Sequence, residues 1–414
     1  MREETRDNGR RNIIRGLVGG GTAAALAGTT ALLPAPARAE TPAAPGGDPF
    51  ALPEFRPNGR VREFWIQAES FEHNAVPNGY DAMMGRHLTP EQTTFWAIGY
   101  RAYTPGWESP LDPDLGPDGI GSNSGIPGPV LRAEVGDVVL VHFRNNDAHY
   151  RWPHSVHPHG VVYDRDSDGG WLADDPQRPG SAVPYGESFT YTWLCHPSSA
   201  GTWPYHDHSA PQSTAPRAAA SADSAPRHGG GGADDGHDGG HDAGTDGGHD
   251  GAAAGGHDTA HDSGHDDMVM EIGAQLGLFG VLVVTDQQTP AVDREFVLFL
   301  HDVSRRDVRS LTQNLDMFNG GAYLDNTPTY TAKAGDRVRW RIAALGNDFH
   351  VFHIHGHRWR SRQGYQGWVD SQIIGPSTTL TIEYTEDNPG DWVYHCHVAD
   401  HMTGGMVGRY RVAP

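Results

Sequence analysis

Histidines form four short groups that lie far apart along the 414-residue chain. The groups are His157-Pro158-His159, His206-Asp207-His208, His350 with His353 and His355, and His395-Cys396-His397 with His401 and Met406. The chain has 25 histidines, so a single His-x-His pair is weak support for a metal site. Four groups, one of which places a cysteine between two histidines and adds a histidine and a methionine, predict metal ligands.

The geometry of a β-strand separates these side chains into two sites. Side chains alternate between faces, so the members of each i, i+2 pair point the same way. Cys396, between two histidines, points to the opposite face, and His350 does so because it lies three residues before His353. One predicted site therefore has eight imidazoles, those of His157, His159, His206, His208, His353, His355, His395 and His397. The other has Cys396 and His350, joined by His401 and Met406 from the following loop.

The two ligand sets favour copper and one-electron chemistry. Two histidines, a thiolate and a weak axial methionine are typical of a blue-copper centre. Calcium and magnesium prefer oxygen ligands, so eight imidazoles do not suit them. Zinc would explain three or four histidines but not the set around Cys396. Because Cys396 is covalently joined to His395 and His397, an electron can pass between the two sites along one strand. Four-electron reduction of dioxygen requires such a connection.

Short β-rich runs, punctuated by Gly, Pro, Asn and Asp, must position these residues. They predict an all-β fold of two β-sandwiches. Residues 129–137 and 329–336 each lead through a Gly-Asp pair into a further strand and then into histidines, which predicts an internal repeat. We predict domain one at 61–288 and domain two, with the Cys396 site, at 289–414. A Gly/His/Asp-rich insert at 209–267 has too few apolar residues for a core, and is predicted to be disordered within domain one.

The N-terminal residues predict export. Arg10 and Arg11 precede an apolar Gly/Ala-rich run that ends in the small-x-small sequence Ala37-Arg38-Ala39. We interpret 1–39 as a twin-arginine signal peptide and 40–60 as a Pro-rich lead-in, and we expect a periplasmic or extracellular protein. No later stretch is apolar and long enough to predict a membrane span. The net charge of -21, without a basic patch, excludes nucleic acid as an expected partner.

The four histidine groups resemble, in order, the copper signatures of the multicopper oxidases. The resemblance covers about 129–208 and 269–412 and is closest to the two-domain small laccases, because Asp207 stands where relatives with a blue copper in domain one have a cysteine. It implies two cupredoxin-like Greek-key domains, four copper ions per subunit, and a homotrimer with the trinuclear cluster between subunits. It implies type 1 ligands His350, Cys396, His401 and Met406. It implies type 2 ligands His157 and His353, and type 3 ligands His159, His206, His208, His355, His395 and His397.

Several neighbouring residues are candidates for other roles. Asp168 and Tyr163 follow His159 and could contact the cluster, Asp168 as a proton relay and Tyr163 as a contact or a packing residue. Asp207 is a weaker relay candidate, for which we favour an ordinary turn residue. His154, which has no partner pattern, is interpreted as structural. Cys195 is interpreted as a free buried thiol, and no disulfide is predicted.

The sequence therefore predicts a laccase-like oxidase that takes electrons from phenolic or similar donors and reduces dioxygen to water. A metal oxidase acting on Cu(I), Mn(II) or Fe(II) with the same cofactors stays open as an alternative. A copper nitrite reductase is disfavoured, because it has no type 3 pair to match the eight pairable histidines. A copper-storage protein would have no need of the route through Cys396.

Overall fold

The structure is a computed structural model that describes residues 55–210, 272–361 and 367–414. These residues form 22 β-strands, three short α-helices and three 3₁₀ turns, which confirms the predicted all-β class. The predicted signal peptide lies outside the described residues, as do most of the lead-in and of the insert. Two residues assigned to the insert, Ser209 and Ala210, are described and buried, so its predicted start at 209 is corrected to a later position.

The first half of the described fold contains eleven strands. In chain order they are β1 (Val61–Asn74), β2 (Tyr80–Asp81), β3 (Arg86–His87), β4 (Thr94–Tyr103), β5 (Val130–Glu134), β6 (Val138–Asn146), β7 (His157–Pro158), β8 (Val162–Tyr163), β9 (Ser188–Leu194), β10 (Gly201–His206) and β11 (Phe279–Thr285). Its helices are α1 (Pro90–Thr93) and α2 (Ile272–Gln275). The 3₁₀ turns are Pro105–Trp107, Arg165–Ser167 and Pro197–Ser199.

The second half also contains eleven strands, with one helix. The strands are β12 (Arg294–Val303), β13 (Leu315–Phe318), β14 (Thr329–Lys333), β15 (Arg337–Leu345), β16 (His350–Ile354), β17 (Trp359–Arg360), β18 (Trp368–Val369), β19 (Ser371–Ile374), β20 (Thr378–Thr385), β21 (Gly390–Cys396) and β22 (Val407–Ala413). The helix is α3 (Ala399–Thr403). It is the longest α-helix in the described ranges, and none there is long and apolar enough to cross a membrane.

Each half is built from two larger sheets. The first half has the orders β4-β1-β6-β9-β8 and β5-β11-β10-β7. The second half has the orders β13-β12-β15-β20 and β14-β22-β21-β16-β19. In both halves the first strand pairs in parallel with a later one, β1 with β6 and β12 with β15, and the strand before the Gly-Asp turn pairs in parallel with the last. The halves thus repeat one topology, while the exact domain boundaries stay predictions.

The Gly-Asp turn of the repeat has the same hydrogen bonds in each half. Gly136 and Gly335 have φ values of 103° and 92°, which favour glycine. The carboxylates that follow accept backbone N–H groups across the turn, from Glu134 to Asp137 at 2.9 Å and from Lys333 to Asp336 at 2.9 Å. The turn sends the chain from one sheet into the other, so the repeated sequence positions two equivalent sandwiches.

The core has two parts, and the larger one joins the halves. It contains Ile98 and Ile126 from the first half together with Phe299 and Leu315 from the second. The smaller part lies inside the second sandwich, around the fully buried Trp340. It includes four further residues of or near the predicted type 1 site. These are Phe352, Tyr394, Cys396 and Met406. The predicted type 1 ligands are therefore set in a packed apolar interior.

Candidate metal centres

One cluster, called here the thiolate site, contains His350, Cys396, His401 and Met406. His350 Nδ1 lies 3.9 Å and His401 Nδ1 lies 3.7 Å from Cys396 Sγ. One nitrogen from each imidazole and the sulfur all lie within 4.8 Å of one another. Met406 is fully buried beside them, in the same core cluster as Cys396.

Three neighbouring segments hold the thiolate site in place. Cys396, the last residue of β21, donates its N–H to the Met406 carbonyl at 3.1 Å, and Met406 donates to the His401 carbonyl at 3.0 Å. The N–H of Val351, in β16, points at Cys396 Sγ at 3.4 Å. Such an N–H stabilises a thiolate, whereas burial raises the pKa of Cys396 above its usual value. A bound cation at this position would favour the thiolate form.

The first histidine set comprises His157, His159, His206 and His208. Their ring centroids lie between 5.1 and 5.8 Å apart in five close pairs. The Nε2 atoms of His159 and His206 are only 3.1 Å apart. His157 lies in β7 and His206 ends β10, and these strands pair so that the two histidines lie opposite each other. His159 and His208 lie just after the ends of the two strands.

The second histidine set comprises His353, His355, His395 and His397. Ring centroids lie between 5.1 and 5.3 Å apart, and the Nε2 atoms of His355 and His395 are 3.1 Å apart. Here β16 pairs with β21, and His353 lies opposite His395. The two sets are therefore equivalent in their strand positions and in the contact between their Nε2 atoms.

Backbone carbonyls orient the corresponding rings in the same way. The Nδ1–H of His157 donates to the Asp168 carbonyl at 2.6 Å, and that of His353 donates to the Asp370 carbonyl at 2.7 Å. His206 and His395 donate through Nδ1 to the carbonyl of the next residue, at 3.0 and 2.8 Å. A carbonyl only accepts, so each Nε2 keeps its lone pair and is available to a metal.

Burial keeps several of these imidazoles neutral. Burial, followed by the charges of neighbouring imidazoles, lowers the pKa of His159 to about 4. Burial likewise lowers the pKa of His206 to about 3 and, in the thiolate site, that of His350 to about 3. Neutral imidazole is the form that binds a metal, so these side chains need not lose a proton before they bind one at neutral pH.

The two histidine sets are separate within one chain. In the part of the chain that the structure describes, ring contacts join members of each set, and none joins one set to the other. His355 and His397 of the second set are exposed, whereas His206 of the first is buried. The sequence predicted one site of eight imidazoles, and a single chain presents it as two half-sites of four.

The candidates Asp168 and Tyr163 both lie beside His157. The Asp168 carboxylate lies 3.6 Å from His157 Nδ1 and accepts a hydrogen bond from Arg178 at 2.8 Å. The Tyr163 ring is edge-on to His157, with centroids 6.2 Å apart. Burial, followed by the charge of Asp168 and a hydrogen bond to it, raises the pKa of Tyr163. Both residues can therefore influence the first histidine set.

Asp207 is not the ordinary turn residue that we favoured. It is 1% exposed and points away from the first histidine set, as its position between His206 and His208 requires. Its carboxylate contacts His154, which the sequence offered only as a structural residue without a partner. The spacing of three residues from His154 to His157, the same as from His350 to His353, was the signal that could have revealed it.

An acidic cavity of about 720 Å³ opens beside the thiolate site. Five aspartates line it, with Arg86, Arg306 and His401; they are Asp302, Asp307, Asp316, Asp348 and Asp400. Asp348 lies 3.7 Å from His401 Nε2, on the side of the ring opposite the sulfur. The cavity therefore reaches one imidazole of the thiolate site directly, a feature that the sequence analysis did not find.

Asp316 makes the acidic cavity unusual. Its side chain is 7% exposed, and no hydrogen bond or ion pair to its carboxylate is present among the described residues. Burial, followed by the charges of Asp302, Asp400 and Asp348, raises its pKa well above the ordinary value. Burial also raises the pKa of Asp302 to about 6. Carboxylates that are gathered and desolvated in this way favour a cation between them.

The two β-sandwiches and these donor sets suit a copper protein, and comparison with known proteins assigns the family. Residues 109–221 and 299–414 match two models of the multicopper oxidase family, and the two matches together cover more than half of the chain. The chain belongs to the multicopper oxidase family. Copper is accordingly the metal that the donor sets above are suited to hold.

Solved structures and curated relatives agree with that family. A multicopper oxidase crystal structure has a TM-score of 0.54 at 19% identity, over 87% of this chain and 92% of that one. A copper nitrite reductase from Nitrosomonas europaea has a TM-score of 0.53 at 17% identity, over 86% of this chain and 94% of that one. These likenesses show the shared fold.

Two curated relatives are similar in sequence. A ferroxidase of Mus musculus is 27% identical over 86% of this chain and 29% of its own length. Hephaestin of Rattus norvegicus is 27% identical over 74% of this chain and 23% of its own length. This chain spans less than a third of these relatives.

Proposed function

We propose that this protein couples the one-electron oxidation of a reduced metal ion to the four-electron reduction of dioxygen to water. Bound copper would supply one-electron transfer at the thiolate site and dioxygen reduction at the histidine sets. His350, Cys396, His401 and Met406 would hold the type 1 ion. His157 and His353 would hold the type 2 ion, and His159, His206, His208, His355, His395 and His397 the type 3 pair.

The separation of the two histidine sets supports a cluster shared between chains. Each set has four imidazoles, which is half of the expected donor number. Exposed His355 and His397 would be covered if the first set of another copy faced them. A head-to-tail contact of this kind closes into a ring, and we propose the homotrimer.

The observation that carries the choice of donor is the buried, unpartnered carboxylate of Asp316 in the acidic cavity. A cation there would offset the repulsion among Asp316, Asp302 and Asp400. It would also lie close to His401, whose Nδ1 faces the sulfur of Cys396. An electron from a bound donor would then have a short route into the thiolate site.

Carboxylate donors narrow the class of metal ion. Oxygen ligands suit divalent ions such as Fe(II) and Mn(II) better than Cu(I), which prefers thiolate and thioether. Met84 is the one sulfur-containing residue among those that line the acidic cavity. The name of one similar protein, a ferroxidase, refers to iron and adds support. We therefore propose Fe(II) or Mn(II) ahead of Cu(I).

An organic donor is the second candidate. Met84 is 63% exposed at the rim of the acidic cavity, and Tyr323 lies in its wall. Together they offer an apolar surface against which a phenol ring could pack. A phenol bound there would fit the laccase-like function predicted from the sequence. The relative rates with a phenol and with metal ions decide between the two donors.

Steady-state oxygen uptake with Fe(II), Mn(II), Cu(I) and a phenol tests the donor. We expect the fastest turnover with a divalent metal ion. Asp316→Asn should raise KM for that ion about tenfold, the effect of removing one partly desolvated charge, and leave phenol oxidation unchanged. Asp391→Asn, at a carboxylate that is 78% exposed, is the control. Faster turnover of the phenol, together with an unchanged KM for metal in Asp316→Asn, would contradict a metal donor.

Copper analysis tests the cofactors independently of the donor. We expect about four copper ions per chain and the blue absorption of a copper thiolate. About two per chain, with reduction of nitrite in place of dioxygen, would identify a nitrite reductase instead. Copper uptake without oxygen consumption for any donor would favour a storage protein.

A further inference from the structure

The two halves of the molecule carry the same strand pairing around their histidines. His206 in β10 lies opposite His157 in β7, and His395 in β21 lies opposite His353 in β16. This common register allows residues of one half to be matched with residues of the other.

His154 and Asp207 occupy in the first half the positions of His350 and Cys396 in the second. Each histidine lies three residues before the first matched histidine of its own half. Asp207 and Cys396 each lie between the two histidines of a His-x-His pair. The first half therefore has, at the place of a thiolate site, a histidine and a carboxylate.

The distance between this histidine and the Asp or Cys of the same half differs between the two halves. His350 Nδ1 lies 3.9 Å from Cys396 Sγ, whereas His154 Nδ1 donates to Asp207 Oδ2 directly at 3.1 Å. His154 Nε2 also donates, to Asp147 Oδ2 at 3.1 Å. Two ionised carboxylates only accept, so both ring nitrogens carry hydrogen and the ring is a cation. All members of this Asp147–His154–Asp207 cluster, the buried triad, are at most 1% exposed.

The electrostatics of the buried triad agree with a charged ring. Burial by itself would lower the pKa of His154, but the charge of Asp207 and hydrogen bonds to both carboxylates raise it to about 9. The pKa of Asp147 is lowered, because the hydrogen bond and charge of His154, with further hydrogen bonds, outweigh the opposing effect of burial. At neutral pH the triad is thus one cation held between two anions.

The buried triad joins the two segments that supply the first histidine set. Asp207 Oδ1 accepts the N–H groups of Ser155 at 2.8 Å and Ser209 at 3.2 Å. Ser155 Oγ in turn accepts the N–H of His208 at 3.0 Å. The segment before β7 is therefore tied to the end of β10 through the side chains of Asp207 and Ser155.

We propose that the buried triad is a positioning device in which the imidazolium of His154 takes the place that a metal ion would take in the second half. It holds the first histidine set in the geometry for metal binding before any metal arrives. The inference rests on the proposed role of that set as copper ligands, although the positioning itself is a property of the metal-free protein.

Hydrogen exchange of the metal-free, full-length chain tests the positioning. His154→Gln removes the cation and leaves Asp147 and Asp207 buried against each other. The amides of Ser155, His208 and Ser209 should then exchange about tenfold faster, since a charge-assisted hydrogen bond is lost. The control is His301→Gln, which removes a fully buried histidine of β12 that donates to the Gln275 carbonyl of α2, and it should not change these rates.

A milder variant and a copper titration complete the test. Asp147→Asn keeps the ion pair between His154 and Asp207 and should speed exchange at the same amides by a smaller factor, even if His154→Gln does not fold. Copper affinity of the first histidine set should fall about tenfold in His154→Gln, with the blue absorption of the thiolate site retained. Wild-type exchange rates in the variants that fold would overturn the proposal. Faster exchange with unchanged copper uptake would uphold the positioning and contradict the first set as ligands.

Discussion

At the scale of single residues, the first histidine set depends on two different parts of Asp168. The main-chain carbonyl orients His157, and the carboxylate lies close to the same ring while it is held by Arg178. A substitution of the side chain can therefore remove the acidic group without changing the acceptor that orients the imidazole. This separation makes Asp168 a clean site for testing proton delivery.

Asp168→Asn should keep the blue absorption of the thiolate site and lower kcat for dioxygen reduction about 10²-fold, the usual contribution of a proton-transfer group. The control is Asp175→Asn, at a second carboxylate that contacts Arg178, with Nε to Oδ2 at 3.2 Å. Stopped-flow reoxidation by dioxygen and absorption spectra supply the measurement. Wild-type reoxidation in Asp168→Asn would exclude a relay role.

At the scale of elements, each histidine set depends on a tyrosine packed over a glycine. Tyr205 precedes His206 in β10 and donates to the Pro129 carbonyl at 2.6 Å, and Tyr394 precedes His395 in β21 and donates to the Pro328 carbonyl at 2.7 Å. A Cβ on Gly280 would meet Tyr205 Oη at 2.2 Å, and one on Gly408 would meet the Tyr394 ring at 2.3 Å. The same close approach positions both strands.

Gly280→Ala and Gly408→Ala should each destabilise the protein by about 1–3 kcal/mol through overpacking. We expect Gly280→Ala to impair copper binding at the first histidine set with the blue absorption retained, and Gly408→Ala to weaken the absorption, because β21 ends at Cys396. Gly375→Ala, with nothing within 4 Å of an added Cβ, is the control. The measurements are thermal unfolding and absorption spectra. If all three variants had the same unfolding temperature and the same spectrum, the argument would be contradicted.

At the scale of the whole molecule, buried ion pairs set the orientation of the halves. Glu295 of β12 binds Arg132 of the first half at 2.9 Å and Arg341 of β15 at 2.9 Å. Arg341 also donates to Thr202 in β10 at 2.7 Å. Replacing Glu295 would leave the buried Arg341 without its carboxylate partner, so this network resists rearrangement. The two histidine sets are thereby held apart within each chain.

A mixture of two inactive variants should recover activity if the cluster lies between chains. His157→Ala damages the first set and His353→Ala the second, so neither homotrimer has an intact cluster. In coexpressed mixed trimers about a quarter of the interfaces would combine the two intact sets, and oxygen uptake should return in that proportion. His157→Ala mixed with His159→Ala should recover nothing. No recovery in the first mixture, with trimers present by light scattering, would place the cluster within one chain.

The sequence by itself determined the all-β class, the repeat, and the grouping of the ligand residues. These follow from local rules, because the alternation of a strand assigns faces to neighbouring residues whatever the strand packs against. Cys396 and His350 on one face, with His395 and His353 on the other, needed no tertiary information. The motifs of the family are equally local.

Only the tertiary structure decided what lies beside these motifs. Asp302 and Asp316 lie opposite each other on the paired strands β12 and β13, and Asp400 joins them only after the distant α3 has packed beside these strands. The charge of His154 likewise depends on two carboxylates, Asp147 and Asp207, that arrive from different segments. Burial and long-range charge set the properties of these groups, and neither quantity is encoded in the spacing of nearby residues.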